Sequence, residues 1–321
     1  MTEKHVRVYG DLNLDVIYLL PTSEIHFRDV SYLARRGFYS PGGVAGNLAV
    51  ALRRIGVKAS VVGKVGVDPA GLMLVRDLEA NNVGVGFVSF TDQEATGVMS
   101  ILVSPEGNRL IIGFRGANRL NLLDDQLLDG VLRGVDSVFA YGFSADNIDK
   151  GESLKKLLGR ASKEGLTTAL DMGGLTRGHA ALVTALKSTL NYVFINMDEL
   201  GDLMGDRSLS AAETLYSILE PEALFVKMGN EGSLAITRRG KFKRKAFKIK
   251  PVDTTGSGDA FNAGVLYSLL EGFDYDRALV LGNAMGAYKA LGYGARHLPR
   301  SLKELEEFIE LKAGSSGLNG L

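Results

Sequence analysis

The stretch from Asp253 to Gly264 carries residue types that could do phosphate chemistry. Its centre, Gly256-Ser257-Gly258, has small side chains or none, so the backbone amides there are left uncovered. An apolar helical pattern follows, and the unpaired amides and dipole of a helix start form an anion site. Asp259 places a carboxylate at the mouth of that site. Because an alcohol that attacks a phosphoryl group must lose a proton, we predict that Asp259 is a general base.

A simpler interpretation of the same residues is a turn in which Asp259 caps the first turn of the helix. Gly, Ser and Asp are each common in turns for conformational reasons. For the four residues Gly-Ser-Gly-Asp alone the turn is the more common structure, whereas the complete twelve-residue stretch is more specific.

Two polar residues near the N-terminus are candidates for binding a hydroxylated ligand. Asn13 and Asp15 lie two apart after a first strand pattern over His5–Gly10. Open α/β sheets bind ligands at the carboxyl ends of their strands. Two side chains on one side of an extended segment could therefore hold two hydroxyls of a sugar. An ordinary turn rich in Asn and Asp fits the spacing equally well.

A glycine pair precedes the first helical pattern. Gly42 and Gly43 would let a ligand touch the main chain, and Asn47 could reach that ligand from the first turn of the helix. Gly56 closes this pattern as a C-cap signal. Taken alone, two glycines before a helix are more often a simple turn.

A third group of candidate residues lies in the C-terminal half. Asn196 and Glu199 lie three apart at a predicted strand-to-helix junction, which fits a capping box and also a pair of side chains near a metal ion. Lys227 precedes a turn bounded by Gly229 and Gly232. The lysine could lie near bound phosphates or form a salt bridge at the end of the sheet, and the sequence leaves both open.

Composition excludes several classes of function. The chain has 321 residues, 37 basic and 37 acidic side chains, four His and no Cys. Disulfides and thiolate metal sites are therefore excluded, and the balanced charge favours neither nucleic acid nor membrane as a partner. No uncharged run is long enough to span a bilayer, no signal peptide is recognisable, and the protein is expected to be cytoplasmic. Neither a P-loop nor a G-x-G-x-x-G fingerprint occurs.

Strand and helix patterns alternate along most of the chain, which predicts a parallel sheet with helices on both faces. Four short strand patterns do not fit this alternation of strands and helices. They are Val16–Leu20, Ser31–Tyr39, Thr96–Val103 and Arg109–Phe114. The segment Lys241–Lys250 carries six basic residues, and its interleaved apolar residues indicate an exposed strand with one buried side rather than a nucleic-acid patch.

The twelve-residue stretch resembles the second signature of the ribokinase-like (PfkB) carbohydrate kinases, D-T-x-G-A-G-D-x-F, with Ser257 where Ala is common. Gly42-Gly43 and Asn47 resemble the first signature, and Asn196 and Glu199 resemble the N-x-x-E motif. The resemblance covers about residues 5–312. It implies one domain over residues 1–321, a three-layer α/β/α sandwich with a mostly parallel central sheet, and a small β-sheet lid formed by segments 16–39 and 96–115. Residues 313–321 are expected to be a disordered tail.

The resemblance also implies roles for individual residues. ATP and Mg²⁺ are the implied cosubstrate and cofactor, and a monovalent cation such as K⁺ is implied near Asp253 and Thr255. Asp259 is the implied base, and the implied residues of the anion hole are Gly256, Ser257 and Gly258. The implied substrate-binding residues are Asn13, Asp15, Gly42, Gly43 and Asn47. The implied nucleotide-binding residues are Asn196, Lys227, Gly229, Gly232 and Asn283, with Glu199 holding Mg²⁺ through water.

The implied reaction is ATP-dependent phosphorylation of a hydroxyl of a small sugar of the ribose, fructose or 2-keto-3-deoxygluconate type. Val44 stands where some relatives have Lys, which favours a substrate without a phosphate of its own. A nucleoside kinase of the same family is the alternative, and a non-catalytic sugar- or nucleotide-binding regulatory module is a more remote one. Exposed edges of the lid strands also suggest a homodimer. Three arginines on or near the second lid hairpin, Arg109, Arg115 and Arg119, are interpreted as solvated charges, one of which could contact an acidic substrate group.

Overall fold

The computed structural model describes residues 3–316. Helix α10 continues to Ser316, so residues 313–316, expected to begin a disordered tail, are helical, and residues 317–321 lie outside the described residues. In the described range the strands are β1 (His5–Tyr9), β2 (Asn13–Leu19), β3 (Arg36–Gly42), β4 (Lys58–Gly66), β5 (Gly84–Thr91), β6 (Gly97–Val103), β7 (Arg109–Phe114), β8 (Ser137–Tyr141), β9 (Thr167–Asp171), β10 (Tyr192–Asn196), β11 (Ala223–Lys227), β12 (Ser233–Thr237) and β13 (Gly240–Arg244).

The α-helices of the described range alternate with most of these strands. They are α1 (Val44–Arg54), α2 (Pro69–Ala80), α3 (Asp125–Leu132), α4 (Glu152–Lys163), α5 (Ala180–Ala185), α6 (Met197–Met204), α7 (Leu209–Leu219), α8 (Ser257–Leu270), α9 (Tyr275–Lys289) and α10 (Leu302–Ser316). None of the helices between residues 3 and 316 combines the length and apolar character that crossing a bilayer requires.

The central sheet has nine strands in the order β13-β12-β11-β10-β9-β8-β1-β4-β5. Neighbouring strands from β5 to β11 pair in parallel, and only β12 and β13 are antiparallel. Every residue of β8 is buried. The sequences of such strands are largely continuous apolar runs because helices cover both faces of a parallel sheet.

Two apolar cores lie on the two faces of this sheet. One core joins the sheet to α1, α2, α8, α9 and α10, and the other joins it to α3 through α7. The predicted three-layer α/β/α sandwich with a mostly parallel sheet is therefore confirmed.

A separate four-stranded sheet has the order β3-β2-β6-β7. Its strands begin earlier or later than the sequence patterns predicted: β2 already starts at Asn13, and β3 starts only at Arg36. Asn13 and Asp15 therefore belong to the small sheet rather than to the turn that ends β1. The physical reason is the ladder itself, since Asn13 has Gly42 and Gly97 as its strand partners.

The basic segment forms a shorter strand than predicted. Strand β13 ends at Arg244, and the following residues leave the sheet. Asn283 donates to the carbonyl oxygens of Arg244 and Lys245 at 3.4 and 3.3 Å, which holds the chain away from the ladder. Phe247 is buried, in agreement with the interpretation that one side of the segment is apolar.

Candidate active site

Helix α8 begins inside the predicted anion stretch. Gly256 is its N-cap with φ 76°, a left-handed conformation that favours glycine, and Asp259 lies in the first turn. A Cβ on Gly256 would lie 2.8 Å from the Cβ of Ala295, so the loop also has no room for a side chain. The predicted helix start is confirmed.

The three predicted anion-hole amides are not equivalent. The amide of Ser257 donates to the carbonyl of Thr254 at 3.1 Å. Among the hydrogen bonds of residues 3–316, the amides of Gly256 and Gly258 have no acceptor. The Ser257 hydroxyl is buried and has no partner among the same residues. Two amides and one hydroxyl are thus available to an anion at this helix start.

The carboxylate of Asp259 is oriented by two donors. The Tyr141 hydroxyl donates to Oδ1 and the Asn47 amide donates to Oδ2, each at 2.9 Å. Burial raises the pKa of Asp259 to about 6, while these two hydrogen bonds act in the opposite direction. A carboxylate with this pKa is largely ionised at neutral pH and can accept a proton.

Of the predicted sugar-binding residues, Asn47 contacts this carboxylate and Asp15 lies near enough to interact with it electrostatically. Asp15 is buried beside Gly42, where a Cβ would lie 2.4 Å from Asp15 Oδ2. Burial raises the pKa of Asp15 to about 7. Gly43 has φ 84°, and a Cβ there would lie 2.5 Å from the carbonyl oxygen of Asp11. Glycine at position 42 lets the backbone approach Asp15 this closely, and glycine at position 43 lets it pack against the chain at 11–13.

The two predicted asparagines differ in what they leave available. Asn13 Oδ1 accepts from Asn118 Nδ2 at 2.8 Å, so protein already uses its carbonyl oxygen. Asn47 Oδ1 is buried without a partner among the described residues. Asn47 thus offers an acceptor to a ligand hydroxyl while its nitrogen holds Asp259.

A buried charged network lies on the opposite side of Asp259. Lys227 Nζ donates to Asp171 Oδ2 at 2.6 Å, and Asn262 Nδ2 donates to the same oxygen at 2.7 Å. Burial alone would lower the pKa of Lys227, but the carboxylates of Asp171 and Glu199 raise it above its usual value. Of the two interpretations of Lys227, the structure shows the salt bridge at the end of the sheet. Both residues of this salt bridge line the site.

Asn196 and Glu199 form the capping box that the spacing allowed. Asn196 Oδ1 accepts from the Glu199 amide and Glu199 Oε2 accepts from the Asn196 amide, both at 2.8 Å. Burial raises the pKa of Glu199. Its second oxygen faces Gly173, at 3.3 Å from where a Cβ would stand. Within residues 3–316 no three acidic or histidine side chains are arranged to bind a metal ion directly.

Two cavities meet at the anion stretch. One, of about 270 Å³, is lined by Asp259, Asp171, Glu199 and other residues of the charged network. The other, of about 480 Å³, has a wall that includes Phe247, Ile249 and Phe261. The two cavities share three lining residues, which are Lys227, Gly229 and Gly258.

The larger cavity contains the other predicted nucleotide-binding residues. Gly232 and Asn283 line it, as does Gly229. Gly232 has φ 103°, and a Cβ there would collide with the carbonyl oxygen of Arg244. Its size and mostly apolar lining suit a flat organic ring beside a small number of polar groups.

Two of the three arginines interpreted as solvated are engaged instead. Arg115 donates to both oxygens of Asp11 at 2.8 Å. Arg109, on β7, donates to the hydroxyls of Thr255 and Thr254 at 2.8 and 2.9 Å. Arg119 is exposed as expected, and Arg109 is exposed as well in spite of its hydrogen bonds. Arg109 thereby connects the small sheet to the loop that precedes the anion stretch.

Sequence reasoning missed Tyr141, Asp171 and Asn262. Tyr141 and Asp171 are the last residues of parallel strands β8 and β9, and Asn196 ends the next strand, β10. Polar residues at successive carboxyl ends of strands were therefore an available signal. Asn262 follows Asp259 by three residues, one helical turn further along α8.

Comparison with known proteins finds similar sequences over most of this chain. The model of the pfkB family carbohydrate kinases matches residues 3–301. An ATP-dependent ribose-1-phosphate kinase of Halopiger xanaduensis is 31% identical over 290 residues, which cover 90% of this chain and 93% of that protein.

Solved structures share the same fold at lower sequence identity. A nucleoside kinase of Burkholderia thailandensis in complex with inosine has a TM-score of 0.81 and 21% identity, covering 96% of this chain and 97% of that one. A ribokinase of Arabidopsis thaliana complexed with ribose and ATP has a TM-score of 0.81 and 20% identity, covering 96% of this chain and 99% of that one.

Proposed function

This chain belongs to the pfkB family of carbohydrate kinases, and on that premise we propose that it transfers the γ-phosphoryl group of ATP to a hydroxyl of a small sugar. The observation that carries the proposal is the placement of Asp259. Its carboxylate lies in the first turn of α8, beside free amides, and lines the cavity that adjoins the larger groove. A base and an anion site are thus adjacent.

The acceptor hydroxyl is proposed to lie between Asp15 and Asp259. Asp15 and the free Oδ1 of Asn47 accept hydrogen bonds from sugar hydroxyls, and Gly43 allows the ring to approach the main chain. Asp259 takes the proton of the attacking hydroxyl. The small sheet, which carries Asp15, excludes water that would compete as the nucleophile.

ATP is proposed to occupy the larger cavity with its phosphates at the start of α8. The amides of Gly256 and Gly258 stabilise the charge that develops on the transferring group. Mg²⁺, when bound, neutralises the phosphate oxygens, and Glu199 reaches it through water, as suits an ion that keeps several waters. Lys227 and Asp171 hold the wall against which the phosphates lie.

Replacing Asp259 by Asn tests the base. The variant keeps the size of the side chain and one acceptor oxygen but cannot take a proton, so turnover falls by at least about 100-fold. ATP affinity, measured by calorimetry, stays within about threefold because Asp259 does not bind the nucleotide. Asp125→Asn, at an exposed carboxylate, is the control. Near-normal ADP release by Asp259→Asn would remove this residue from the mechanism.

A panel of candidate acceptors tests which substrate the protein phosphorylates. Ribose, fructose, 2-keto-3-deoxygluconate, ribose 1-phosphate, inosine and adenosine are each offered with ATP and Mg²⁺, and ADP release is measured. We propose a free sugar as acceptor because Val44 adds no cation for a second phosphate. A nucleoside is the second candidate, since the neighbour crystallised with inosine has the same fold. Sugar binding without ADP release for any acceptor of the panel would instead support a regulatory module.

A further inference from the structure

A buried lysine ammonium lies directly behind the anion stretch. Lys289, at the end of α9, has 0% of its side chain exposed. Its Nζ donates to the carbonyl oxygen of Asp253 at 2.6 Å and to that of Gly292 at 3.2 Å, and lies 4.0 Å from Asp253 Oδ2. The ammonium is therefore coordinated by main-chain oxygens and a carboxylate, as a monovalent cation would be.

The carboxylate of Asp253 already accepts three hydrogen bonds. Oδ1 accepts from the amide and the hydroxyl of Thr255 at 2.9 and 2.7 Å, and Oδ2 accepts from the Gly294 amide at 2.9 Å. Arg109 adds a second positive charge 3.6 Å from Oδ1. A K⁺ ion needs an uncompensated negative charge, and the charge of Asp253 is already balanced by Lys289 and Arg109.

K⁺ was expected near Asp253 and Thr255, but these residues do not fit it. We infer that Lys289 is a built-in monovalent cation, and that this protein binds its substrates and works without K⁺. Lys289 remains charged at neutral pH, since burial lowers its pKa only to about 8. The inference extends the proposed kinase function by assigning the cation requirement of the same site.

Lys289 acts here as a positioning residue. Its two carbonyl contacts join the loop before α8 to the loop after α9, and Ala295 of the second loop packs against Gly256. The amides of Gly256 and Gly258 are fixed by that packing. Without the ammonium, the carbonyl oxygens of Asp253 and Gly292 and the Asp253 carboxylate would lose their positively charged partner. The two loops would then no longer hold the amides of Gly256 and Gly258 in place.

The test compares cations in two independent measurements on the full chain. Wild type, Lys289→Ala and the surface control Lys303→Ala are each placed in choline, sodium or potassium chloride at equal ionic strength. ADP release is measured with ATP, Mg²⁺ and the best acceptor of the panel. Thermal unfolding is measured without ATP or acceptor, so that it reports cation binding even if no acceptor is found.

We expect wild type and Lys303→Ala to have activities within about twofold and melting temperatures within about 2 °C in all three salts. Lys289→Ala should lose at least about tenfold of its turnover in choline. KCl should restore part of that loss and raise the melting temperature, because the vacated oxygens accept K⁺. A purely structural lysine would not give this rescue.

Two results would overturn the inference. One is a wild-type protein that K⁺ activates or stabilises well beyond these ranges. The other is a folded Lys289→Ala protein that gains nothing from K⁺ in either measurement. If the alanine variant does not fold, Lys289→Ser, which also leaves the oxygens accessible to K⁺, takes its place in both assays.

Discussion

The hydroxyl of Tyr141 sets the protonation of the base in the proposed mechanism. Burial raises the pKa of Asp259 to about 6, and the Tyr141 hydrogen bond lowers it from a still higher value. Burial also raises the pKa of Tyr141 well above its usual value, so this hydroxyl remains a donor over the working pH range. The base is competent above about pH 6 and is lost as the pH falls through that value.

Tyr141→Phe removes this donor and leaves the ring in place. We expect the acid limb of kcat, measured at saturating sugar so that Asp15 is already engaged, to move upward by about one pH unit. The direction follows because a hydrogen bond to the charged form favours ionisation. An acid limb that stays where it is in wild type would show that Tyr141 does not tune the base.

The substitution Gly42→Ala tests the proposed sugar-binding residues, also at the scale of single residues. In Gly42→Ala the new methyl group would lie 2.4 Å from Asp15 Oδ2, so the carboxylate must move. We expect KM for the sugar to rise by at least about tenfold while KM for ATP changes little. Gly86→Ala, where no atom lies within 4 Å of the added Cβ, is the control. An unchanged KM for the sugar would argue against Asp15 as a substrate ligand.

Helix α8 has a glycine with positive φ at each end, which separates backbone strain from loss of the anion site. Gly256 has φ 76° and a neighbour at 2.8 Å, whereas Gly272 has φ 79° and no atom within 4 Å of an added Cβ. Both Gly→Ala changes should cost about 1–2 kcal/mol through the left-handed conformation. Only Gly256→Ala should also lose turnover and ATP affinity.

Denaturant unfolding and steady-state kinetics check this pair. We expect both variants to be destabilised, Gly256→Ala more strongly because its Cβ meets Ala295, and activity to be lost in Gly256→Ala alone. If Gly272→Ala loses as much activity as Gly256→Ala, the effect belongs to general strain in α8 rather than to the amides at its start.

Elements whose signals are local could be predicted from sequence. The strand and helix alternation, the start of α8 and the capping box at Asn196 each depend on residues within one or two turns. These predictions, together with the resemblance to ribokinase-like kinases, are confirmed by the fold and by the family match. The start of β2 at Asn13 was not predicted, because the ladder partners of Asn13 lie far along the chain.

The contacts that orient the site depend on distant partners and could not be read from sequence. Tyr141 and Asp259 are 118 residues apart, and Asp171 and Asn262 are 91 residues apart. Their meeting follows from the order of parallel strands in the sheet and from the position of α8 across it. The strand order and the position of α8 are seen only in the structure, because the spacing of residues within one motif does not specify them.

At the scale of the whole molecule, the two faces of the small sheet differ. Asp15 and Arg109 lie on the face towards the cleft, where Arg109 reaches the loop before α8. Since side chains alternate along a strand, Leu110, Ile112 and Phe114 of the edge strand β7 share the opposite face. These three are 50–56% exposed and Ile111 on the cleft face is 52% exposed, so β7 presents an unusual number of large apolar side chains to water.

A second copy of this chain is the partner that we expect on this face, because an apolar face and an unpaired edge strand are self-complementary. We expect a dimer by light scattering at micromolar concentration and a monomer for Ile112→Lys. Ile148→Lys, at an isoleucine that is 53% exposed on the main body, is the control. Because β2 of the same sheet carries Asp15, the monomer should also bind sugar more weakly. A wild-type monomer, or an Ile112→Lys dimer, would refute this interface.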